Sequence, residues 1–173
     1  MIILALDPNT VNTGYVLYDD STSRILASGT ISSPASKVLS LSDRMIAQRT
    51  ELEAIIAANT AQNMVDFAFV EGIFFGRNPS LPINLGLLTG ILIGGMCKDF
   101  GRIPVTTWRL RSTGSGKKDY NSAIKDAWKT SKSFAIAKAF LGKDPGTEHE
   151  MDATGILIAY ITHGKYSRPK KRK

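Results

Sequence analysis

The chain begins with short apolar runs broken by polar turns. Residues 2–6, 14–18 and 25–31 are three β-like runs; Asn12 with Gly14 marks one bend, and Asp19, Asp20 and Ser21 a hairpin turn. This pattern predicts an antiparallel meander. The period then changes: Leu41, Met45, Leu52, Ile55 and Ile56 recur near helical spacing, predicting an amphipathic helix over 41–59 with Ser40 or Ser42 as its cap. "VDFAFVEG", residues 65–72, is a continuous apolar run closed by an acid and fits a buried strand. Beyond it the pattern predicts a helix over 82–100, a strand around 103–106, a flexible basic loop over 114–119, and helices over 122–141 and 148–163. Three strands, helix, strand, helix, strand, helix, helix is the order of an α/β fold, a mixed five-stranded sheet flanked by helices. No internal repeat or linker divides it, so one domain is expected over 1–166, with 167–173 as a charged tail.

Composition agrees with one soluble domain: 173 residues, 43% hydrophobic and 21% charged, are enough for a single sizeable core. Lys and Arg outnumber Asp and Glu by 22 to 15, and the net charge of +7 favours a polyanionic partner. Cys97 is the single cysteine, which excludes an internal disulfide and a Cys-rich zinc site, and its apolar neighbours predict a core position in a reducing compartment. A strand starting at Ile2 leaves no room for a cleavable leader, and the most apolar run, 81–96, is interrupted by Pro82 and Asn84 and falls short of a bilayer span. The expectation is a cytoplasmic protein with no membrane partner.

The candidate chemistry lies where the strands end. Asp7 closes the first strand and Glu71 the fourth; if these strands are parallel neighbours, both carboxylates reach the same sheet edge, where open α/β sheets bind ligands. Taken singly, each acid would serve as a turn cap or a solvated strand end. Together they repel unless a proton or cation lies between them, and a hard divalent ion with oxygen ligands is the economical solution. "TEHEMDATGILIAYITHG" adds a third group: on a helix over 148–163, Glu148, His149 and Asp152 share a face near the N-terminus. The helix dipole accounts for Glu148 or Glu150. It accounts less well for Asp152, which sits among Met151, Ala153, Ile156 and Leu157 on a helix about to be buried.

"ILALDPNTVNTGYVLYD", "FVEGIFFGRN" with "NLGLLTGILIGG", and "HEMDATGILIAYITHG" resemble, in order and spacing, the signature segments of the RuvC family of Holliday junction resolvases, over nearly the whole chain. The resemblance implies an RNase H-like fold, a homodimer, and magnesium- or manganese-dependent nicking of branched DNA. Carried over by position, Asp7, Glu71 and Asp152 look like three of four metal-binding residues. The fourth position, most familiar in the family as Asp, is His149 here. Three readings stay open: His149 as ligand, His149 as a proton-handling neighbour, or Glu148 supplying the missing carboxylate; the family position favours His149. Phosphodiester hydrolysis needs an activated water and stabilised charge on the phosphate and the leaving oxygen, which two ions roughly 4 Å apart supply. A neutral imidazole suits manganese better than magnesium, so manganese is expected to support activity at least as well.

Other residues suit DNA. Phe74 and Phe75 follow Glu71 closely; core packing is the ordinary fate of either ring, but beside a catalytic acid one could stack on an unpaired base. By position Phe74 resembles the family's junction-inserting aromatic, with Arg77 as a nearby phosphate contact. "TTWRLRSTGSGKKDY" carries Arg109, Arg111, Lys117 and Lys118. It partly imitates a P-loop, but Arg111 stands where the first glycine belongs and Lys118 where Ser or Thr belongs, which argues against a nucleotide cofactor. Given the acid cluster, a clamp on scissile-strand phosphates is the better reading, and Lys117 or Lys118 looks like the family's functional lysine. Gly86, Gly90 and Gly94 form a stripe that permits close approach of the sheet or of a second subunit; the resemblance implies a dimer helix there, and two symmetric cuts suit a two-fold protein. The tail residues Lys170, Lys171, Arg172 and Lys173 suit a phosphate-binding arm first, with a nuclear address or a solubilising end as the other readings.

Two other classes are weaker. The "LDPNTVNTG" turn also resembles the first phosphate loop of actin-like kinases, but these need two such domains with the nucleotide between them. A non-catalytic junction-binding scaffold would gain nothing from acids gathered beside phosphates. Strict four-way resolution and broader cleavage of three-way and four-way forms both fit the sequence.

Overall fold

The structure is a computed structural model and describes residues 1–33, 39–73 and 80–163. Strands β1 (Ile2–Asp7), β2 (Asn12–Asp19) and β3 (Arg24–Ser32) form the expected antiparallel meander. On the other side of β1, β4 (Val65–Glu71) and then β5 (Cys97–Ile103) add in parallel, giving a mixed five-stranded sheet of order β3-β2-β1-β4-β5.

Strand alternation divides the core into two layers. Leu4, Leu6, Leu17 and Val70 face α1 (Leu41–Asn59) and α2 (Ser80–Ile93), packing on Leu52, Ile56, Leu88 and Leu92. Ile3, Ala5, Val16 and Phe69 face the other way, onto α3 (Val105–Thr113) and α5 (Glu148–His163), and meet Trp108, Ile156 and Leu157. A short 3-10 turn (Ala127–Thr130) and α4 (Lys132–Leu141) lie outside α5, where Trp128, Ala137 and Met151 form a small third cluster. No helix among the described residues is long and apolar enough to cross a membrane.

Helix α1 runs over the expected span and starts at Ser40, whose side chain accepts from the Asp43 amide in a capping box with the Asp43 carboxylate. Helix α5 also has its expected bounds, and it is buried from Glu150 to Tyr160.

Four expectations fail. The helix expected over 82–100 ends at Ile93, because Gly95 has φ +75° and turns the chain out of the helix; strand β5 follows, where helix had been expected. The segment around 103–106 is not a strand but the start of α3: Pro104 precedes its first turn, and burial of Trp108 outweighs the β-branched Val105, Thr106 and Thr107. The helix expected over 122–141 is broken at Ser131, which caps α4 by accepting from the Phe134 amide. Cys97, expected in the core, is half-buried at the start of β5 and donates its thiol to the Ile93 carbonyl.

One close approach fixes α5 on the sheet. Gly14 lies opposite Asp7 in the β1–β2 ladder, and a Cβ there would stand 1.9 Å from the carbonyl oxygen of His149. Both clashing partners are backbone, so neither can rotate away. Gly14→Ala is therefore expected to cost about 3 kcal/mol or more in urea denaturation. A variant as stable as the parent would mean that α5 does not cross β2 at this point.

Candidate active site

Strand parity explains how the acids meet. Asp7 shares its face of β1 with Ile3 and Ala5, and Glu71 shares its face of β4 with Phe69, so both carboxylates point toward α3 and α5 at the carboxyl ends of paired parallel strands. The first turn of α5 then brings His149 and Asp152 to the same place. All four side chains line one open cleft of about 310 Å³. Arg109 and Lys118 also line it, and Leu81, Leu85 and Val105 form an apolar wall.

The turn after Asp7 is held from inside. The Asn9 side chain accepts from the Val11 amide, and the Thr13 hydroxyl, fully buried, accepts from the Asn9 amide. Gln48 of α1, also fully buried, accepts from Thr13 at 2.5 Å and donates to the Asn9 carbonyl at 3.1 Å and to Ser33 Oγ at 3.0 Å. Satisfied buried networks of this kind rigidify what they hold, here the segment that carries Asp7.

Around the acids, few partners offset much repulsion. His149 Nδ1 donates to Asp7 Oδ2 at 2.6 Å. Trp108 Nε1 donates to Glu71 Oε1 at 3.0 Å, and Arg109 Nη2 lies 3.5 Å from Asp152 Oδ2. Burial and the adjacent Asp7 push the Glu71 carboxyl up to about 8. Burial, opposed by Arg109 and reinforced by Glu71 and Glu148, raises Asp152 to about 7. Burial also lifts Asp7 above the usual carboxylate range, against the pull of His149. Burial disfavours a charged His149 ring, but its bond to Asp7 and the surrounding acids hold its pKa above the ordinary value.

Glu148 has a different environment. Burial acts against its charge, yet Lys118 Nζ at 2.7 Å and the Tyr120 hydroxyl at 2.5 Å both donate to Oε1 and keep its pKa below the usual value. These bonds leave Glu148 committed to the basic segment, while His149 touches Asp7 directly. The structure also separates the two lysines: Lys118 lines the cleft, whereas Lys117 is exposed and outside the cleft lining. Arg109 belongs to α3, its side chain 15% exposed beside Asp152, and not to a solvated loop; Arg111 is half-buried on α3 and is not part of the cleft lining. Phe74, Phe75, Arg77 and the tail residues Lys170, Lys171, Arg172 and Lys173 lie outside the described residues.

Trp108, Tyr120 and Gln48 escaped the sequence reading. Gln48 carried a signal, being a polar residue in step with Met45, Leu52 and Ile56 on the buried stripe of α1. Trp108 and Tyr120 carried none, since their partners are 37 and 28 residues away.

The donor set suits a hard divalent cation: three carboxylates and an imidazole, all buried or half-buried, with the carboxylates holding protons more tightly than solvated acids do. As the side chains stand, no three His, Cys, Asp or Glu groups among the described residues converge on one point as ion ligands would. Asp7 is turned onto His149 and Glu71 onto Trp108. Asp7, Glu71, Asp152 and His149 are the residues that would hold a cation.

No family model matches the chain. It is 34% identical over 95 residues to the crossover junction endodeoxyribonuclease RuvC of Heliobacterium modesticaldum, covering 54% of this chain and 55% of that relative. It is 34% identical over 113 residues to the protein of the same name from Sphingopyxis alaskensis, covering 64% of this chain and 67% of that relative. The chain thus spans about half the length of the first relative and two thirds of the second. Among solved structures, Thermus thermophilus RuvC in complex with Holliday junction substrate superposes with a TM-score of 0.68 at 16% identity over 94% of this chain and 93% of the other. Another structure of Thermus thermophilus RuvC gives 0.63 at 17% identity, over 94% of each chain. These superpositions establish the RNase H-like arrangement of sheet and helices.

The raised pKa values set a direction for stability. An acid whose folded pKa exceeds its unfolded value takes up protons on folding, so its stabilising contribution is complete below about pH 4 and is lost as pH rises through the folded value. With Glu71 at about 8 and Asp152 at about 7, the protein in EDTA is expected to melt at progressively lower temperature from pH 5 to pH 9. Glu71→Gln should flatten that slope and raise the melting temperature at pH 8, by roughly 2–4 °C for each kcal/mol of repulsion relieved. A melting temperature independent of pH over this range would show that burial and mutual repulsion do not raise these pKa values.

Proposed function

Because the chain belongs to the RuvC family of crossover junction endodeoxyribonucleases, we propose that it hydrolyses phosphodiester bonds of branched DNA, nicking four-way junctions symmetrically to resolve recombination or replication intermediates. One observation carries the reading: Asp7, Glu71, His149 and Asp152, drawn from two strands and a helix, line one cleft beside Arg109 and Lys118. The Thermus relative seen with a Holliday junction substrate has the same fold and supports this substrate class.

Bound divalent ions, magnesium or manganese, supply the activated water and the charge stabilisation that the hydrolysis requires. The chain's own residues do the rest. Asp7, Glu71 and Asp152 provide hard oxygen donors, and His149 completes the set at the position where its ring already meets Asp7. Lys118, held over the cleft by Glu148, is placed to meet a scissile-strand phosphate, and Arg109 to meet a neighbouring one. Leu81, Leu85 and Val105 give one side of the cleft an apolar lining.

A homodimer suits the remaining surface. On α2, Ile83 and Leu87 are exposed, and the space beside Gly90 is open, so the glycine stripe approaches no part of the sheet there. A second copy packing on α2 would cover it and relate two clefts by a two-fold axis.

Synthetic four-way, three-way and linear duplex DNA, incubated with magnesium or manganese, test the activity. Paired symmetric nicks in the four-way junction are expected, lost in Asp7→Asn, and reduced about 10²–10³-fold in kcat in Lys118→Ala. Comparable cutting of three-way DNA would make the protein a general debranching nuclease, and no metal-dependent nicking of any substrate would sink the catalytic reading. Manganese should support nicking at least as well as magnesium, and a magnesium-only enzyme would count against His149 as a ligand. Removing residues 170–173 should lower the salt slope of junction binding by roughly one for each phosphate that the tail neutralises; an unchanged slope would dismiss the tail as a DNA-binding arm.

A further inference from the structure

Trp108 is 1% exposed, and its indole lies between Glu71 and α5. One edge donates its N–H to Glu71 Oε1 at 3.0 Å. The opposite edge fills the place of a missing side chain on α5: a Cβ at Gly155 would stand 2.6 Å from Trp108 Cζ3 and 2.9 Å from Cε3. Gly155 is three residues after Asp152, on the buried part of the same helix. The contact that seats α5, and with it Asp152, is thus also the contact that seats the indole against Glu71. The next residue of α3, Arg109, reaches Asp152.

We propose that Trp108 is a positioning residue for Glu71: its indole N–H holds one carboxylate oxygen, Oε1, and leaves the other to a divalent cation, and Gly155 is the space that makes this possible. The inference rests on the nuclease reading above and adds a determinant of its cation affinity. A glutamate side chain has several rotatable bonds, and an anchor on one oxygen lowers the conformational entropy that it must give up when it binds a cation. An indole is a donor only, is never protonated or deprotonated in this range, and cannot itself bind the cation. It can orient an anionic ligand without competing for the ion. Partners of this kind set the affinity of metal sites by about 10–100-fold.

A tryptophan that served only the core would find any acceptor for its N–H, and its loss would cost stability alone. The two roles separate by nuclear magnetic resonance of the indole group. The protein has two tryptophans, so Trp128→Phe assigns the Trp108 signal. With diamagnetic Mg2+ as the probe, the Trp108 indole resonance should move with the same midpoint as the gain in melting temperature, and it should be displaced in metal-free Glu71→Gln. Trp108→Phe, which keeps a ring in the core, should weaken the Mg2+ midpoint about tenfold while melting remains cooperative.

An indole resonance unmoved at Mg2+ concentrations that stabilise the protein would overturn the inference and leave the nuclease reading standing. So would a Trp108→Phe variant with an unchanged midpoint. If Trp108→Phe does not fold, the resonance of the parent protein decides. A parent protein whose melting temperature and resonance both ignore Mg2+ and Mn2+ would overturn the metal-dependent reading, and this inference with it.

Discussion

The parallel pairing of β1 with β4 is the constraint from which the site follows. Ile3 to Leu6 align with Phe67 to Val70, so the next residue on each strand, Asp7 and Glu71, emerges at the same height and on the same face. No rearrangement short of a register slip separates them, and a slip by one residue would turn every core side chain of the strand to the wrong face. The apolar cores above and below the sheet therefore enforce a repulsion that the acids on their own would avoid. That repulsion opposes folding and is the property a cation-binding cleft needs. Local destabilisation at a functional site, sustained by packing elsewhere, is the pattern expected of such a design.

Helix α5 is the second determinant, and its approach depends on two missing side chains. Gly14 lets the His149 backbone settle on β2 directly opposite Asp7, and Gly155 admits the Trp108 ring between α5 and α3. Between these two contacts lies Asp152, whose distance from β1 and β4 is thereby set by backbone and ring, not by flexible side chains. Glu150, on the same turn, is 2% exposed and is satisfied by Ser28, Lys143 and the Gly146 amide, which ties the start of α5 to β3. The helix is pinned at its N-terminus from both sides of the cleft.

How much of this was legible follows from which interactions are local. Helices α1 and α5 and the first four strands declare themselves through spacing and caps within a few residues, and the meeting of Asp7, Glu71, His149 and Asp152 follows once strand order is inferred. Strand β5 did not declare itself because it is an edge strand: Lys98, Asp99, Phe100 and Arg102 are exposed, so the alternation that marks a half-buried strand is missing. Helix α3 was hidden for the opposite reason, since its β-branched start reads as strand and only the burial of Trp108 against α5 makes it a helix. Both lie in the stretch after the glycines of α2, where a misplaced helix end displaced everything as far as the basic segment. Trp108, Gln48 and Tyr120 find their partners across 28 to 37 positions of sequence, and of the three only Gln48, in step with the buried stripe of α1, leaves a periodic trace.

An imidazole at position 149 changes the balance among the acids. Its nitrogen sits 2.6 Å from Asp7, a distance at which a fourth carboxylate could remain only by sharing a proton with the first. His149 instead gives Asp7 a hydrogen-bond partner in place of a further negative charge. Arg109 pairs with Asp152 from the other side. The cleft is thus a row of acids each paired with a different donor: imidazole on Asp7, indole on Glu71, guanidinium on Asp152, ammonium and phenol on Glu148. Among the donors to Asp7, Glu71 and Asp152, the indole alone is neutral at every accessible pH. Under the metal-dependent reading a cation would have to displace or outweigh the charged donors, whereas the Trp108 bond occupies a single oxygen of Glu71 and brings no charge that competes with the ion.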